Sequence, residues 1–193
     1  MNQKNLHEVD WSKIPAPEDD GGTRHLAGMT IPALDLVATD NTSVRLAALK
    51  GRTVIFAYPR TGEPGKISLV DDWDMIPGAR GCTPQTCSFR DLFAELKTAG
   101  AQHVFGLSTQ SHDYQSEMAA RLHLPFAVLS DESLALTRAL DLPTMDVAGL
   151  TLLMRLALII DEGKISHVFY PVFSPDRTAG DVLEWLKDNP VSK

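Results

Sequence analysis

The feature that most constrains this chain is a cysteine pair, Cys82 and Cys87, at the point where a loop rich in glycine and proline turns into a run with helical spacing. Phe89, Leu92, Phe93 and Leu96 recur at intervals of three and four, which predicts one helix from Cys82 to a glycine stop near Gly100. Pro84 fits only the first turn of such a helix, where its missing N–H leaves nothing unpaired. Cys82 is therefore placed at the helix N-terminus. The unsatisfied N–H groups and partial positive charge there favour a thiolate over a thiol.

The spacing also bears on pairing. Five residues along an ideal helix put two Cα atoms roughly 8.6 Å apart, beyond the roughly 4.4 to 6.8 Å that a disulfide requires. A bond between these sulfurs thus needs the first turns to unwind. By themselves the residues leave three readings open: a redox-active pair, a structural disulfide that this geometry resists, or two small neighbours in a core.

Composition narrows the classes. At 193 residues with 44% apolar content, one domain with a sizeable core is expected. A net charge of −7 without any basic cluster argues against a nucleic-acid surface. Met1 to Asn5 leads into polar sequence with no hydrophobic leader, and apolar runs such as Leu156 to Ile160 are too short to span a bilayer. Neither a signal peptide nor membrane association is expected, and the cytoplasm is the expected location. There, a cysteine pair is more often catalytic or redox-active than a permanent staple. No H-x-x-x-H or C-x-x-C spacing, phosphate-cradling loop or dinucleotide fingerprint occurs, so neither metal nor cofactor is expected.

Along the chain, residues 1–27 read as an extension that packs on the domain through Trp11 and Ile14. Ile31 to Ala38 and Ser43 to Leu46 predict an N-terminal β-hairpin, and Thr53 to Tyr58 a strand covered on both faces. The connection over 62–78 is long, with Ile67, Leu69, Val70, Trp73, Met75 and Ile76 among its polar residues. Such connections inside a compact domain are usually functional or disordered, and the apolar content argues against disorder. It reads either as a flap or rim beside Cys82 or as a surface excursion that extends the core or a subunit contact. After the cysteine helix come a strand at His103 to Ser108, a helix from Ser111, a strand at Phe126 to Leu129 and a helix at Ser133 to Leu140. Leu150 to Ile160 and Ile165 to Tyr170 predict a hairpin, and Asp181 to Leu186 a closing helix. Arg155 interrupts its apolar strand, and a guanidinium there is costly without a compensating anion, either a carboxylate or a thiolate.

Gly81-Cys82-Thr83-Pro84-Gln85-Thr86-Cys87-Ser88-Phe89-Arg90-Asp91 resembles the active-site segment of the bacterioferritin-comigratory, or Q-type, peroxiredoxins, preceded as in that family by an apolar strand ending in Tyr58-Pro59. The likeness runs from about Gly28 to the C-terminus. It implies a thioredoxin-like α/β fold with a mixed central sheet, flanking helices and the N-terminal hairpin. It also implies a peroxidase of hydrogen peroxide or organic hydroperoxides, with Cys82 peroxidatic, Cys87 resolving, and Arg155 beside the reactive sulfur. Thioredoxin or glutaredoxin is the implied reductant, and a monomer or homodimer the implied assembly. The family pattern has proline seven residues before the cysteine and a hydroxyl three before it. Here Pro59 and Cys82 are 23 apart, an insertion of 16, and Ala79 occupies the hydroxyl position. Thr61, leaving the strand end, is the expected substitute. The alternatives are a thiol–disulfide oxidoreductase, which would normally use C-x-x-C, a cysteine hydrolase, and a non-catalytic redox sensor.

Overall fold

The computed structural model describes residues 10–191. The first nine residues of the expected extension, with the polar start read there, and residues 192–193 lie outside the described residues. In chain order the described elements are β1 (Leu36–Ala38), β2 (Ser43–Val44), β3 (Arg52–Ala57), α1 (Cys82–Asp91), α2 (Phe93–Thr98), β4 (His103–Ser108), α3 (His112–Arg121), β5 (Val128–Ser130) and α4 (Ala135–Leu140). They continue with β6 (Thr144–Val147), β7 (Leu150–Leu153), β8 (Leu156–Asp161), β9 (Lys164–Phe169) and α5 (Thr178–Asp188). Seven strands make one sheet in the order β2-β1-β5-β4-β3-β8-β9, with β3, β4 and β5 parallel and the remaining pairs antiparallel.

Strand β3 is buried along its whole length because both faces of the sheet are covered. Val54, Phe56 and the following Tyr58 face one core with Ala157 and Ile159, while Ile55 and Ala57 face the other with Leu156, Leu158 and Ile160. The first core is closed by α1, Met118 of α3 and the apolar stripe Val182, Leu183 and Leu186 of α5. The second is closed by Leu136 and Leu140 of α4 and by Leu26 and Ile31 of the N-terminal segment. Full burial of a Val, Ile or Phe contributes about 1.5–3 kcal/mol, so β3 is a firm platform for whatever leaves its end. Phe56 stacks on Phe89 at 4.0 Å between ring centroids, which ties the middle of α1 to the sheet. Gly106 makes this possible, since a Cβ there would come within 3.1 Å of the Phe56 ring.

Four expectations are corrected in detail. The helix from Cys82 is kinked at Leu92, though Leu92 N–H still donates to Ser88 and its carbonyl accepts from Leu96, so the hydrogen-bond ladder passes through. The expected strand over Leu150–Ile160 is two strands. Leu150–Leu153 pairs with β6, a strand absent from the sequence reading, whereas Leu156–Asp161 pairs with β3 in the main sheet. Met154 N–H donates to Pro143 at the break, and Arg155 sits in the joint rather than inside a central strand. The hairpin is present but short, because the chain turns at Pro32, whose carbonyl accepts from Leu34, and after Val44 enters a 3-10 turn at Leu46–Ala48.

The segment over 62–78 carries one regular piece, a 3-10 turn at Trp73–Met75. Its buried Trp73 forms a small third core with Ala79, Val147 and Leu152, against which Leu69, Val70, Ile76 and Met145 pack. The segment is thus seated on the β6–β7 pair, whose last strand leads directly into Arg155.

Candidate active site

Register places the site. Ala57 pairs with Leu156 at the last rung of the antiparallel β3–β8 ladder, so the next residues out, Tyr58 and Arg155, stand opposite one another at the same sheet end. There the chain leaves β3 through buried Pro59, whose carbonyl accepts from Ser108 Oγ at 3.2 Å.

Helix α1 begins over this end. Its N-cap is Gly81 at φ 107°, a left-handed conformation that suits glycine, and no side chain caps the first turn. The free N–H groups of that turn are left for another acceptor. A Cβ on Gly81 would meet Trp11 at 2.6 Å and Pro175 at 2.7 Å, so both residues lie directly on the backbone in front of Cys82. Trp11 in turn packs edge-on against Phe173, with ring centroids 6.3 Å apart. The expected packing of the extension through Trp11 is found, and its place is the start of α1.

Arg155 is buried, at 2% exposure, and its partners explain why it is tolerated. Nη1 donates to Gln85 Oε1, three residues beyond Cys82 on the same helix. Nη2 lies 3.1 Å from the carbonyls of Gly78 and Arg80 and 3.3 Å from that of Ala79 and from Cys82 Sγ. That nitrogen has two hydrogens for four acceptors. An ionised sulfur outcompetes a carbonyl for such a donor, because the attraction of two opposite full charges adds to the hydrogen bond. Among the described residues no carboxylate pairs with Arg155, which leaves Cys82 as the anion that could compensate its buried charge. In the neutral state Cys82 Sγ–H donates to the Ala79 carbonyl at 3.5 Å.

Cys87 is also buried, and both cysteines are free. Burial pushes the Cys87 thiol up, with Arg90 and Arg121 opposing and Asp91 adding to the shift. Both cysteines lie in one wound helix, the conformation in which the spacing argument keeps them apart.

Thr61 lines the same cleft as the helix start, and its polar groups are held by Gln110 and Tyr114. Its N–H and Oγ1 both donate to Gln110 Oε1, at 2.9 and 3.2 Å, and its carbonyl accepts from Tyr114 O–H at 3.0 Å. The hydroxyl proton is therefore committed to Gln110. Gln85, Tyr58 and Gln110 were not singled out from the sequence; for Gln85 the signal was available, since positions i and i+3 share a helix face.

Next to the helix start opens a cleft of about 470 Å³, walled by Gly81, Thr83 and Pro84 of the helix start, by Thr61, Tyr114 and Arg60, and by Leu69 and Trp73 from the 62–78 segment. Arg60 stacks over the Tyr114 ring at 4.8 Å, while Arg80 pairs with Asp74 at 2.9 Å and Lys66 with Glu63 at 2.6 Å.

A mixed sheet with helices on both faces and an uncapped helix bearing a cysteine beside a buried guanidinium defines a thiol-based redox protein of thioredoxin-like fold. Comparison with known proteins sharpens this. The family described as Redoxin matches residues 26–183. Peroxiredoxin Bcp of Escherichia coli is 32% identical over 168 residues, covering 84% of this chain and 96% of that one. The chloroplastic peroxiredoxin Q of Oryza sativa subsp. japonica is 30% identical over 162 residues, 83% of this chain, and the match spans only 66% of the rice protein's length. Among solved structures, peroxidoxin BcpB of Mycobacterium tuberculosis superposes with a TM-score of 0.68 at 25% identity, covering 86% of this chain and 98% of the other. Xanthomonas campestris peroxiredoxin Q gives 0.66 at 27% identity, over 84% and 98%. The chain belongs to the Redoxin family, and the relatives it matches are peroxiredoxins of the Bcp and Q types. Among the described residues no helix is long and apolar enough to cross a membrane.

Proposed function

We propose that this protein reduces hydrogen peroxide or an organic hydroperoxide at Cys82 and resolves the product with Cys87. The observation that carries the reading is the buried guanidinium of Arg155, without a carboxylate partner among the described residues and 3.3 Å from a sulfur at an uncapped helix start. Cys82–S⁻ attacks the terminal oxygen of R–O–O–H in line with the O–O bond. An S–O bond forms, the O–O bond breaks, and R–O⁻ leaves to take a proton from solvent. Arg155 Nη2 and the first-turn N–H groups are positioned to hold the charge that moves between these atoms. The sulfur is left as sulfenic acid.

Resolution needs motion. The start of α1 frays, the Cys87 thiol attacks the sulfenic sulfur, and water leaves as the disulfide forms. A dithiol of the thioredoxin type then reduces it by exchange, with glutaredoxin as the alternative to be compared in the same assay, and the reducing cytoplasm as the setting. Both sulfurs belong to one helix, so a monomer suffices for the chemistry even within a homodimer.

The cleft supports organic hydroperoxides as substrates, because Leu69, Trp73 and Pro84 offer an apolar wall beside the helix start. In this reading the 62–78 segment is a rim of the site, Pro59 and Thr61 fix the loop opposite it, and Thr61 acts through Gln110. Deleting residues 64–75 should shift preference away from bulky hydroperoxides; unchanged consumption and preference would remove the rim from the account.

The direct test is steady-state peroxide turnover with a thioredoxin system. Cys82→Ser should abolish it, and Cys87→Ser should leave a single oxidation per chain without recycling through the disulfide. Loss confined to Cys87→Ser would reverse the roles of the two sulfurs. Sustained turnover separates an enzyme from a sensor that forms the disulfide once.

A further inference from the structure

The helix start lacks a hydroxyl where its relatives' pattern has one, since Ala79 stands three residues before Cys82, and the Thr61 proton is spent on Gln110. Among the buried hydroxyls on the core side of Cys82, that of Tyr58 is unspent. Tyr58 is fully buried, and its O–H has no partner among the described residues. A buried polar group left without a partner is costly, so packing alone would be better served by phenylalanine. Tyr58 also faces the same core as Cys82, stands opposite Arg155 at the open end of the β3–β8 ladder, and is near enough to Cys82 for the sulfur's charge to act on its phenol.

We propose that Tyr58 is a catalytic residue, its hydroxyl donating a hydrogen bond to the oxygen that Cys82 takes from the peroxide. The proposal rests on the peroxidase reading and extends it. The negative charge passes from sulfur to the leaving oxygen, and the transferred oxygen between them accepts through its lone pairs, held in line between the Arg155 guanidinium and the Tyr58 O–H. No proton is transferred from Tyr58. Burial, then the charges of Cys82 and Tyr114, push the phenol well above its ordinary value, so it stays an O–H donor.

Tyr58→Phe tests this, because it removes one oxygen and keeps the ring. Sulfenic acid formation would be followed by stopped-flow fluorescence with hydrogen peroxide and with cumene hydroperoxide, beside alkylation of Cys82 by iodoacetamide in a Cys87→Ser background and thermal melting. The expected result is a rate about tenfold to a hundredfold lower for both peroxides, by the same factor because the transferred oxygen is common to them. Alkylation should be unchanged and the melting temperature equal or higher. Peroxide rates within twofold of the parent would overturn the proposal. So would a loss for one peroxide only, which would place the hydroxyl on the leaving group, an equal loss in alkylation, which would place its effect on the sulfur, or a lower melting temperature, which would give it a structural partner. A parent protein inert to both peroxides would sink the peroxidase reading itself, and this inference with it.

Discussion

Arg155 Nη2 lies 3.3 Å from Cys82 Sγ, although 73 residues separate them in sequence. The contact depends on a joint between two strands that pair in different sheets, which turns the guanidinium under the start of α1. Its other nitrogen holds Gln85 of the same helix, so a planar fork fixes both the sulfur and the helix that carries it. Lysine offers charge without that fork. Arg155→Lys should therefore lower the rate of Cys82 oxidation by about a hundredfold or more, read by stopped-flow fluorescence, with the fold retained by circular dichroism. A loss below tenfold would mean that charge alone suffices.

Trp11 clamps the element that must fray. Its ring sits on Gly81 and against Phe173, so the first turn of α1 cannot unwind without displacing it. Trp11→Ala should speed disulfide formation after Cys82 is oxidised by about tenfold, the equivalent of roughly 1.4 kcal/mol. With excess peroxide it should also lower the yield of sulfinic acid, because the sulfenic acid is captured sooner. Rapid-quench sampling with intact mass spectrometry reads both, and an unchanged rate would show that the clamp does not limit fraying.

Gly81 is constrained twice over, by its left-handed φ of 107° and by Trp11 and Pro175 lying where a Cβ would go. Gly81→Ala should destabilise the protein by more than about 1 kcal/mol in urea melts. A neutral result would mean that the helix start adapts more readily than its packing implies.

Cys87 gives a pH dependence with a definite sign. Burial raises its thiol in the folded state, so the native protein holds that proton more tightly than the unfolded chain does. Its contribution to stability is complete below the unfolded value, about 8.5, and is lost as pH rises through the higher folded value. The Cys82→Ser protein should accordingly lose stability above about pH 8.5 relative to the Cys82→Ser, Cys87→Ala protein, and Cys87 should be alkylated more slowly than a free thiol until urea loosens the helix. Alkylation at the free-thiol rate in the native state would contradict the burial argument.

The sequence made some of these residues visible and hid others for physical reasons. Pro84 can occupy only a first turn, which located the start of α1, and Arg155 stood out because a charge in an apolar run demands an explanation. The break beside it was hidden, since Leu150–Leu153 and Leu156–Ile160 are equally apolar and only their pairing partners differ. The thioredoxin-like sheet was expected from the family resemblance, while β6 was missed because Thr144–Val147 carries too little apolar pattern to mark a strand. Thr61 was chosen for its place at the strand end, but its hydrogen bonds are set by Gln110, a residue 49 positions away. Tyr58 looked like one more apolar strand residue. What distinguishes it is a missing partner, a property of the packed structure alone.

The central claim is that Cys82 takes the oxygen and Cys87 then closes on it. One equivalent of hydrogen peroxide, followed by dimedone trapping and peptide mass spectrometry, tests both halves at once. The account predicts a Cys82–Cys87 disulfide in the wild type, a dimedone adduct on Cys82 in Cys87→Ser, and no adduct in Cys82→Ser. An adduct on Cys87 in the Cys82→Ser protein, formed as fast as the wild type is oxidised, would contradict it.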